Sequence, residues 1–201
     1  MVDLGQALVF DYDGVIADTE PLHWKSWVAL LSHHGIQLGW DEYLRIGQGV
    51  SDKHIYEHFR PQMTSVDPDA FAILNHDRKR MVLDLSLRES PIAQETVGLL
   101  KSLGRYQLGL VTSSDRAQVE PVLRAAQIFD LFDAMVFGGE APLPKPSPAP
   151  YLLIAERLGV KSGIAFEDSE PGLESARAAG LRTVKIERPG DLARIVELTL
   201  R

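Results

Sequence analysis

The chain has 201 residues, a length that predicts one globular core with room for a sizeable insertion. Hydrophobic residues make up 45% of the sequence and charged residues 24%, values that exclude disordered, collagen-like and coiled-coil proteins. The formal net charge of −7 disfavours binding to nucleic acid, because the overall field repels polyanions. The sequence has no cysteine, which excludes disulfides, zinc–thiolate sites and cysteine nucleophiles.

Membrane association is not expected either. No run of residues approaches the ~18 apolar residues that a membrane span requires, and residues 1–10 lack a basic region followed by an apolar core. The absence of cysteine also fits a reducing compartment. We therefore expect a cytoplasmic protein without membrane or nucleic-acid partners, and we expect a monomer.

Five short apolar runs rich in β-branched residues predict strands at residues 7–10, 108–111, 134–137, 164–166 and 183–186. Apolar residues with i, i+3, i+4, i+7 spacing predict helices over residues 93–100 and 151–158. Strands that alternate with helices form parallel sheets with right-handed crossovers. The predicted fold class is therefore α/β, a three-layer Rossmann-like core whose parallel sheet carries helices on both faces.

The first crossover is much longer than a βαβ unit requires, since residues 11–107 separate the first two predicted strands. This interval has helical stripes of its own, over residues 24–31 and at Ile55 and Phe59, so it is structured. We predict an all-helical cap domain inserted after the first strand, beside the sheet edge where α/β proteins bind ligands. The predicted domains are a core of residues 1–15 and 88–201 and a cap of residues 16–87.

Charged and hydroxyl side chains follow four of the predicted strands, at the edge that parallel strands share. They are Asp11 and Asp13, Thr112 and Ser113, Lys145, and Glu167 with Asp168. Any one of these carboxylates has an ordinary alternative as a helix cap or a turn residue. Four acidic groups at one edge, however, repel each other unless a cation lies among them, and an oxygen-only ligand set favours a hard ion such as Mg²⁺.

The segments around these residues resemble the four motifs of the haloacid dehalogenase-like phosphohydrolases, in particular the helical-cap branch that contains β-phosphoglucomutase and many small-molecule phosphatases. The matching segments are Asp11-Tyr12-Asp13-Gly14-Val15, Leu110-Val111-Thr112-Ser113-Ser114, Lys145 before Pro146, and Glu167-Asp168-Ser169. The segments that begin at Asp18 and Glu170 are also similar to those of this branch. The resemblance extends from the first strand almost to the C-terminus.

The resemblance implies an enzyme that uses Mg²⁺ and a covalent intermediate. Asp11 would be the nucleophile that forms an aspartyl-phosphate, and Asp13 would protonate the leaving oxygen and then activate water. The implied metal ligands are Asp11, the backbone carbonyl of Asp13, Asp168 and, directly or through water, Glu167. The implied phosphate-binding groups are Thr112, Ser113 and Lys145.

Four polar residues of the predicted cap are candidates for contact with the leaving group of the substrate: His23, Gln48, Lys53 and Lys79. His23 and Lys79 have ordinary structural alternatives, because a histidine beside Trp24 can simply pack and a basic triplet on a helix, here Arg78-Lys79-Arg80, is usually solvated. Where the resemblance to β-phosphoglucomutase leads us to expect an arginine for the second phosphate of the substrate, this chain has Asp52. The adjacent Lys53 is the alternative cation for that role.

These features predict a Mg²⁺-dependent phosphatase that hydrolyses a small phosphomonoester, such as a sugar phosphate. The alternative is a β-phosphoglucomutase-type phosphosugar mutase, which Asp52 disfavours. A receiver-like phosphoacceptor is less favoured, because neither the helical insertion nor the proton chemistry of Asp13 suits it. A non-catalytic binding protein is also less favoured, because it would not need the complete set of acid, base, hydroxyl and lysine.

Overall fold

The computed structural model describes residues 7–47, 52–63 and 70–201. Within these ranges the chain forms five strands and nine α-helices. In chain order they are β1 (Ala7–Phe10), α1 (Glu20–Ser32), α2 (Trp40–Gly47), α3 (Asp52–Phe59), α4 (Ala70–Arg88), α5 (Gln94–Ser102), β2 (Leu108–Val111), α6 (Arg116–Ala125), β3 (Ala134–Val136), α7 (Ala149–Leu158), β4 (Gly163–Glu167), α8 (Glu170–Ala178), β5 (Arg182–Lys185) and α9 (Leu192–Leu200).

The five strands form one parallel sheet in the order β3-β2-β1-β4-β5. Every residue of β1, β2 and β4 is buried, as expected for central strands covered on both faces. Phe10 and Phe166, which pair in register on β1 and β4, stack with ring centroids 4.9 Å apart. The order places the carboxyl ends of β2, β1 and β4 side by side, and this adjacency positions the site described below.

One face of the sheet is covered by α7. Its residues Tyr151, Ile154 and Leu158 are buried against strand residues that include Val9 and Val111. Gly159 ends this helix in the left-handed conformation, with φ of 68°, which glycine adopts without steric cost. The i, i+3, i+4, i+7 stripe of the sequence therefore corresponds to the face of α7 that packs on the sheet.

Thr19–Glu89 forms a compact unit separate from the described residues on either side of it. This unit contains α1 to α4 and has its own apolar core, in which Trp27, Leu31, Ile55 and Phe59 are buried. The prediction of an α/β core with an all-helical domain inserted after the first strand is confirmed. Among the helices that the structure describes, none is long and apolar enough to cross a membrane.

The packing of α7 on the sheet makes a direct test of the core possible. Ile154 has no exposed surface, whereas Leu152 on the same helix is 51% exposed. We expect Ile154→Ala to lower the free energy of unfolding by about 2–5 kcal/mol through lost apolar burial and a residual cavity. The control Leu152→Ala should change it by no more than about 0.5 kcal/mol. Urea unfolding of both variants is the measurement, and equal effects would contradict this packing.

Candidate active site

Asp11 is the first residue after β1 and lies at the middle of the sheet edge. Its backbone N–H donates a hydrogen bond to the carbonyl of Phe166 at 3.0 Å, so the backbone of Asp11 is fixed to β4. The residue is only 5% exposed. The chain then turns at Gly14, whose φ is 74°. A buried carboxylate therefore lies at the end of the central strand, on a residue whose backbone is hydrogen-bonded to the neighbouring strand.

Lys145, in the loop between β3 and α7, joins the ends of three adjacent strands. Its Nζ donates to Asp11 Oδ1 at 2.5 Å, to Glu167 Oε1 at 2.6 Å and to the carbonyl of Val111 at 3.2 Å. The Lys145 side chain is 8% exposed and that of Glu167 is fully buried. All three donors of the ammonium are thus used within the protein.

The electrostatics of this cluster follow from burial and from like charges. Burial raises the pKa of Asp11 well above its ordinary value, with Lys145 opposing this and Glu167 adding to it. Burial also raises the pKa of Asp168 to about 6, and the neighbouring Glu167 charge contributes in the same direction. Burial alone would lower the pKa of Lys145, but Asp11 and Glu167 outweigh it, so that the pKa lies above its ordinary value. The charge of Lys145 therefore does not fully offset the effect of burial and of the neighbouring acids on Asp11 and Asp168.

The same acids have the composition of a site for a hard cation. Asp11, Glu167 and Asp168 each offer a carboxylate oxygen, and these oxygens lie within 4.8 Å of one another. An all-oxygen set suits Mg²⁺. Burial first, and then repulsion from the neighbouring acids, raises the pKa values of Asp11 and Asp168, and a divalent cation would oppose both effects. The residues present therefore fit the ion that the sequence predicts.

Two glycines allow the backbone to approach these carboxylates. A Cβ at Gly14 would lie 2.2 Å from Asp168 Oδ2, and a Cβ at Gly172 would lie 2.0 Å from Glu167 Oε2. Both distances are far shorter than van der Waals contact. Any other residue at these positions would displace an acidic side chain from the cluster.

Asp13 has a different set of neighbours from Asp11. Its Oδ2 accepts a hydrogen bond from Ser114 Oγ at 2.7 Å, and Thr112 Oγ1 lies 3.5 Å from the same oxygen. Thr112 Oγ1 also accepts from the backbone N–H of Ser114 at 3.0 Å. The loop after β2 therefore supplies hydroxyl groups to the second carboxylate, while Lys145 serves the first. Ser114 was not among the residues that the sequence singled out, because a serine before a helix is more simply interpreted as a cap.

Tyr151 is a second residue that the sequence analysis missed as part of the site. Its hydroxyl donates to Glu167 Oε1 at 2.5 Å, and its side chain is completely buried. Burial, followed by the charge of Glu167, raises the pKa of this phenol. In the sequence Tyr151 is one member of an apolar helical stripe, and that periodicity carries no sign of its polar end.

Ser113 lies at the surface beside this cluster. Together with Thr112 and Lys145 it lines a pocket of about 440 Å³, whose other walls come from the loop after β3. These wall residues are Phe137, Gly138, Gly139, Ala141, Pro142, Leu143 and Pro144, with Pro150 of α7. The three predicted phosphate-binding residues are therefore neighbours around one open concavity.

The candidate residues of the helical unit have varied surroundings. His23 Nδ1 accepts a hydrogen bond from Nη1 of Arg78 at 3.2 Å. Lys53 is exposed and lies 3.7 Å from Glu57, one helical turn away. Lys79 is half-buried, and Gln48 lies outside the described residues.

Arg78, the neighbour of Lys79 in the basic triplet, is the centre of a buried polar network. Its side chain has no exposed surface and forms an ion pair with Asp52. It also donates to Ser26 Oγ at 3.1 Å, and its guanidinium carbon lies 4.8 Å from the centroid of the Trp27 ring. The sequence analysis did not select this arginine, because most basic triplets on helices are solvated.

Comparison with known proteins supports the family resemblance described in the sequence analysis. The model of the haloacid dehalogenase-like hydrolases matches residues 8–186. The chain is 33% identical over 182 residues to the phosphorylated carbohydrates phosphatase of Thermotoga maritima, covering 89% of this chain and 83% of that protein. It is 32% identical over 182 residues to fructose-1-phosphate phosphatase YqaB of Escherichia coli, covering 89% and 95%.

Among solved structures, CbbY of Rhodobacter sphaeroides in complex with phosphate is 26% identical to this chain, with a TM-score of 0.72. The similarity covers 89% of this chain and 84% of that chain. The family match spans both the sheet and the inserted helices, and the relatives exceed 30% identity over most of the sequence. The chain therefore belongs to the haloacid dehalogenase-like hydrolases.

Proposed function

We propose that the chain is a Mg²⁺-dependent phosphatase that hydrolyses a small phosphomonoester, such as a sugar phosphate, through an aspartyl-phosphate intermediate. The observation that carries this proposal is the pair Asp11 and Asp13, two carboxylates two residues apart with separate partners. The names of the two relatives, which are phosphatases of phosphorylated carbohydrates and of fructose 1-phosphate, support the same substrate class.

Asp11 is the proposed nucleophile. A carboxylate oxygen of Asp11 attacks phosphorus, the bond from phosphorus to the leaving oxygen breaks, and the phosphoryl group is transferred to Asp11. The fixed backbone of Asp11 and the hydrogen bond from Lys145 to Oδ1 hold the carboxylate in one orientation. Orientation of this kind lowers the entropic part of the barrier.

Asp13 is the proposed general acid and base. It protonates the leaving oxygen in the first step, and in the second step it takes a proton from the water that attacks the aspartyl-phosphate. The hydroxyl of Ser114 donates to Oδ2 and so orients the Asp13 carboxylate. Hydrolysis of the intermediate requires this second group, which separates the proposed enzyme from a long-lived phosphoacceptor.

Lys145, Thr112 and Ser113 are the proposed phosphate-binding groups. Lys145 donates to Asp11 and also lines the pocket that contains Thr112 and Ser113. A cation and hydroxyl donors beside the nucleophile offset the negative charge that develops on the phosphoryl oxygens in the transition state.

The proposed Mg²⁺ ligands are Asp11, Asp168 and the backbone carbonyl of Asp13, with Glu167 in direct or water-mediated support. When bound, Mg²⁺ would screen the repulsion between the phosphoryl group and the anionic nucleophile. Lys145 and Tyr151 both donate to Oε1 of Glu167, which favours a supporting role for this residue over a direct one.

The ion pair of Asp52 favours a phosphatase over a mutase. A mutase has to bind a second phosphate group, and the resemblance leads us to expect an arginine for that purpose at position 52. Here Asp52 pairs with the buried Arg78 inside the helical unit. A carboxylate in that role repels phosphate, and the arginine that it pairs with has no exposed side-chain surface.

Replacement of Asp11 tests the proposed nucleophile. Asp11→Asn keeps the shape of the side chain but removes the anionic oxygen that attacks phosphorus. We expect loss of phosphate release and loss of labelling of the protein by a radioactive phosphoryl donor. The control Asp130→Asn changes an exposed carboxylate and should leave both signals at the wild-type level. An Asp11→Asn protein that is folded and still labelled would contradict the assignment.

Removal of the metal tests the acidic cluster. We expect chelation to abolish phosphate release and added Mg²⁺ to restore it. Glu167→Ala should weaken Mg²⁺ binding roughly 10- to 100-fold, the usual effect of losing a group that supports metal ligands. Asp168→Ala should weaken it more, because Asp168 is a proposed direct ligand. Calorimetric titration with Mg²⁺ measures both. Full activity after chelation, or the reverse order of the two variants, would overturn this part of the proposal.

A substrate screen separates the phosphatase from the mutase. Sugar phosphates and other phosphorylated metabolites are incubated with the protein and Mg²⁺, and released phosphate is measured. With β-glucose 1-phosphate plus a trace of glucose 1,6-bisphosphate we expect inorganic phosphate and no more glucose 6-phosphate than the bisphosphate added, because Asp52 offers no cation to a second phosphate. Formation of glucose 6-phosphate in large excess over the bisphosphate added would show a mutase instead. Asp11→Asn is the negative control for both products.

A further inference from the structure

Tyr151 is buried beside Glu167 and Lys145, and the mechanism above uses its hydroxyl only as a donor to Glu167. Its hydroxyl lies 2.5 Å from Glu167 Oε1, and Lys145 Nζ lies 5.5 Å from the centroid of its ring. One side chain therefore contacts both members of the Lys145–Glu167 ion pair. The apolar periodicity of α7 explains the position of the ring but not that of the hydroxyl.

Glu167 needs such a donor because it is a carboxylate without exposed surface. Its Oε1 accepts from Lys145 at 2.6 Å and from Tyr151, whereas Oε2 accepts a longer hydrogen bond of 3.4 Å from Ser169 Oγ. A hydrogen bond from a neutral phenol offsets part of the negative charge without adding a positive one. The remaining field at Lys145 is therefore less negative than the bare acidic cluster would produce.

We propose that Tyr151 is a positioning residue for phosphate binding, whose hydroxyl fixes Glu167 and thereby keeps the Lys145 ammonium oriented so that a phosphoryl anion can replace its longest contact, the Val111 carbonyl at 3.2 Å. This inference rests on the proposed function. It assigns the hydroxyl an unequal effect on two ligands: the hydroxyl strengthens the binding of an anion at Lys145 and does not strengthen the binding of a cation at the carboxylates.

Loss of the hydroxyl makes this asymmetry measurable. Without its second donor, the carboxylate of Glu167 holds Lys145 more strongly and makes the local potential more negative. Both changes weaken phosphate binding. Mg²⁺ binding is kept, because Lys145 still donates to Oε1 of Glu167 and holds this carboxylate in place. Damage to the packing of the site would instead weaken both ligands together.

The test uses Tyr151→Phe, which keeps the buried ring, and Tyr106→Phe as the matched control. Tyr106 is also buried in the α/β unit, but it does not belong to the cluster. Calorimetry first measures the Kd of Mg²⁺ and then the Kd of inorganic phosphate for the Mg²⁺-loaded protein. For Tyr151→Phe we expect the phosphate Kd to rise roughly tenfold, the effect of one hydrogen bond to a charged group. The Mg²⁺ Kd should stay within about threefold of the wild type or fall, and Tyr106→Phe should match the wild type in both.

Three outcomes would overturn the inference. They are an unchanged phosphate Kd in Tyr151→Phe, a parallel loss of Mg²⁺ and phosphate affinity in that variant, and an equal loss of phosphate affinity in Tyr106→Phe. The titrations do not require turnover. A wild type that binds phosphate but releases none from any phosphomonoester would refute the proposed function alone, whereas a wild type that binds no phosphate would refute both proposals.

Discussion

The bridge that Lys145 forms between Asp11 and Glu167 is the interaction on which the rest of the site depends. Burial of an acidic cluster is strongly unfavourable unless each charge has a partner and each polar atom a hydrogen bond. Lys145 meets this requirement for three neighbouring strands at once, since its donors reach the ends of β1, β2 and β4. These strands are contiguous in the sheet. One ammonium group therefore stabilises the arrangement that a phosphoryl group would later use.

The different surroundings of Asp11 and Asp13 follow from the same geometry. Asp11 is the last point fixed by the β ladder and faces the buried ammonium, while Asp13 lies beyond it and accepts from the loop after β2. A fixed position orients the proposed nucleophile, and a hydroxyl partner orients the proposed proton carrier without adding a charge. Two identical side chains thus obtain different chemical environments from a displacement of two residues along the chain.

The sequence predicted the features that depend on local pattern and on strand order along the chain. The apolar runs located the strands, and the shared edge of a parallel sheet brought Asp11, Lys145 and Asp168 together. The contributions of Ser114 and Tyr151 were not predictable in this way. Each depends on where one hydroxyl points after the loops and helices have packed, and neither spacing nor composition encodes that direction. The need for glycine at position 172 was not predictable either, because it arises from the close approach of the Glu167 carboxylate.

The helical unit satisfies a buried charge of its own by a different arrangement. Arg78 has no exposed side-chain surface and relies on the Asp52 carboxylate, the Ser26 hydroxyl and the face of Trp27. An arginine at position 52 would place two guanidinium groups against each other and leave Arg78 buried without a counter-charge. Loss of one partner of a buried ion pair lowers the free energy of unfolding by about 3–5 kcal/mol. The residue at position 52 is therefore coupled to the interior of the unit. Under the proposed function, a substitution at position 52 that introduces a cation for a second phosphate therefore requires a change in the buried network as well.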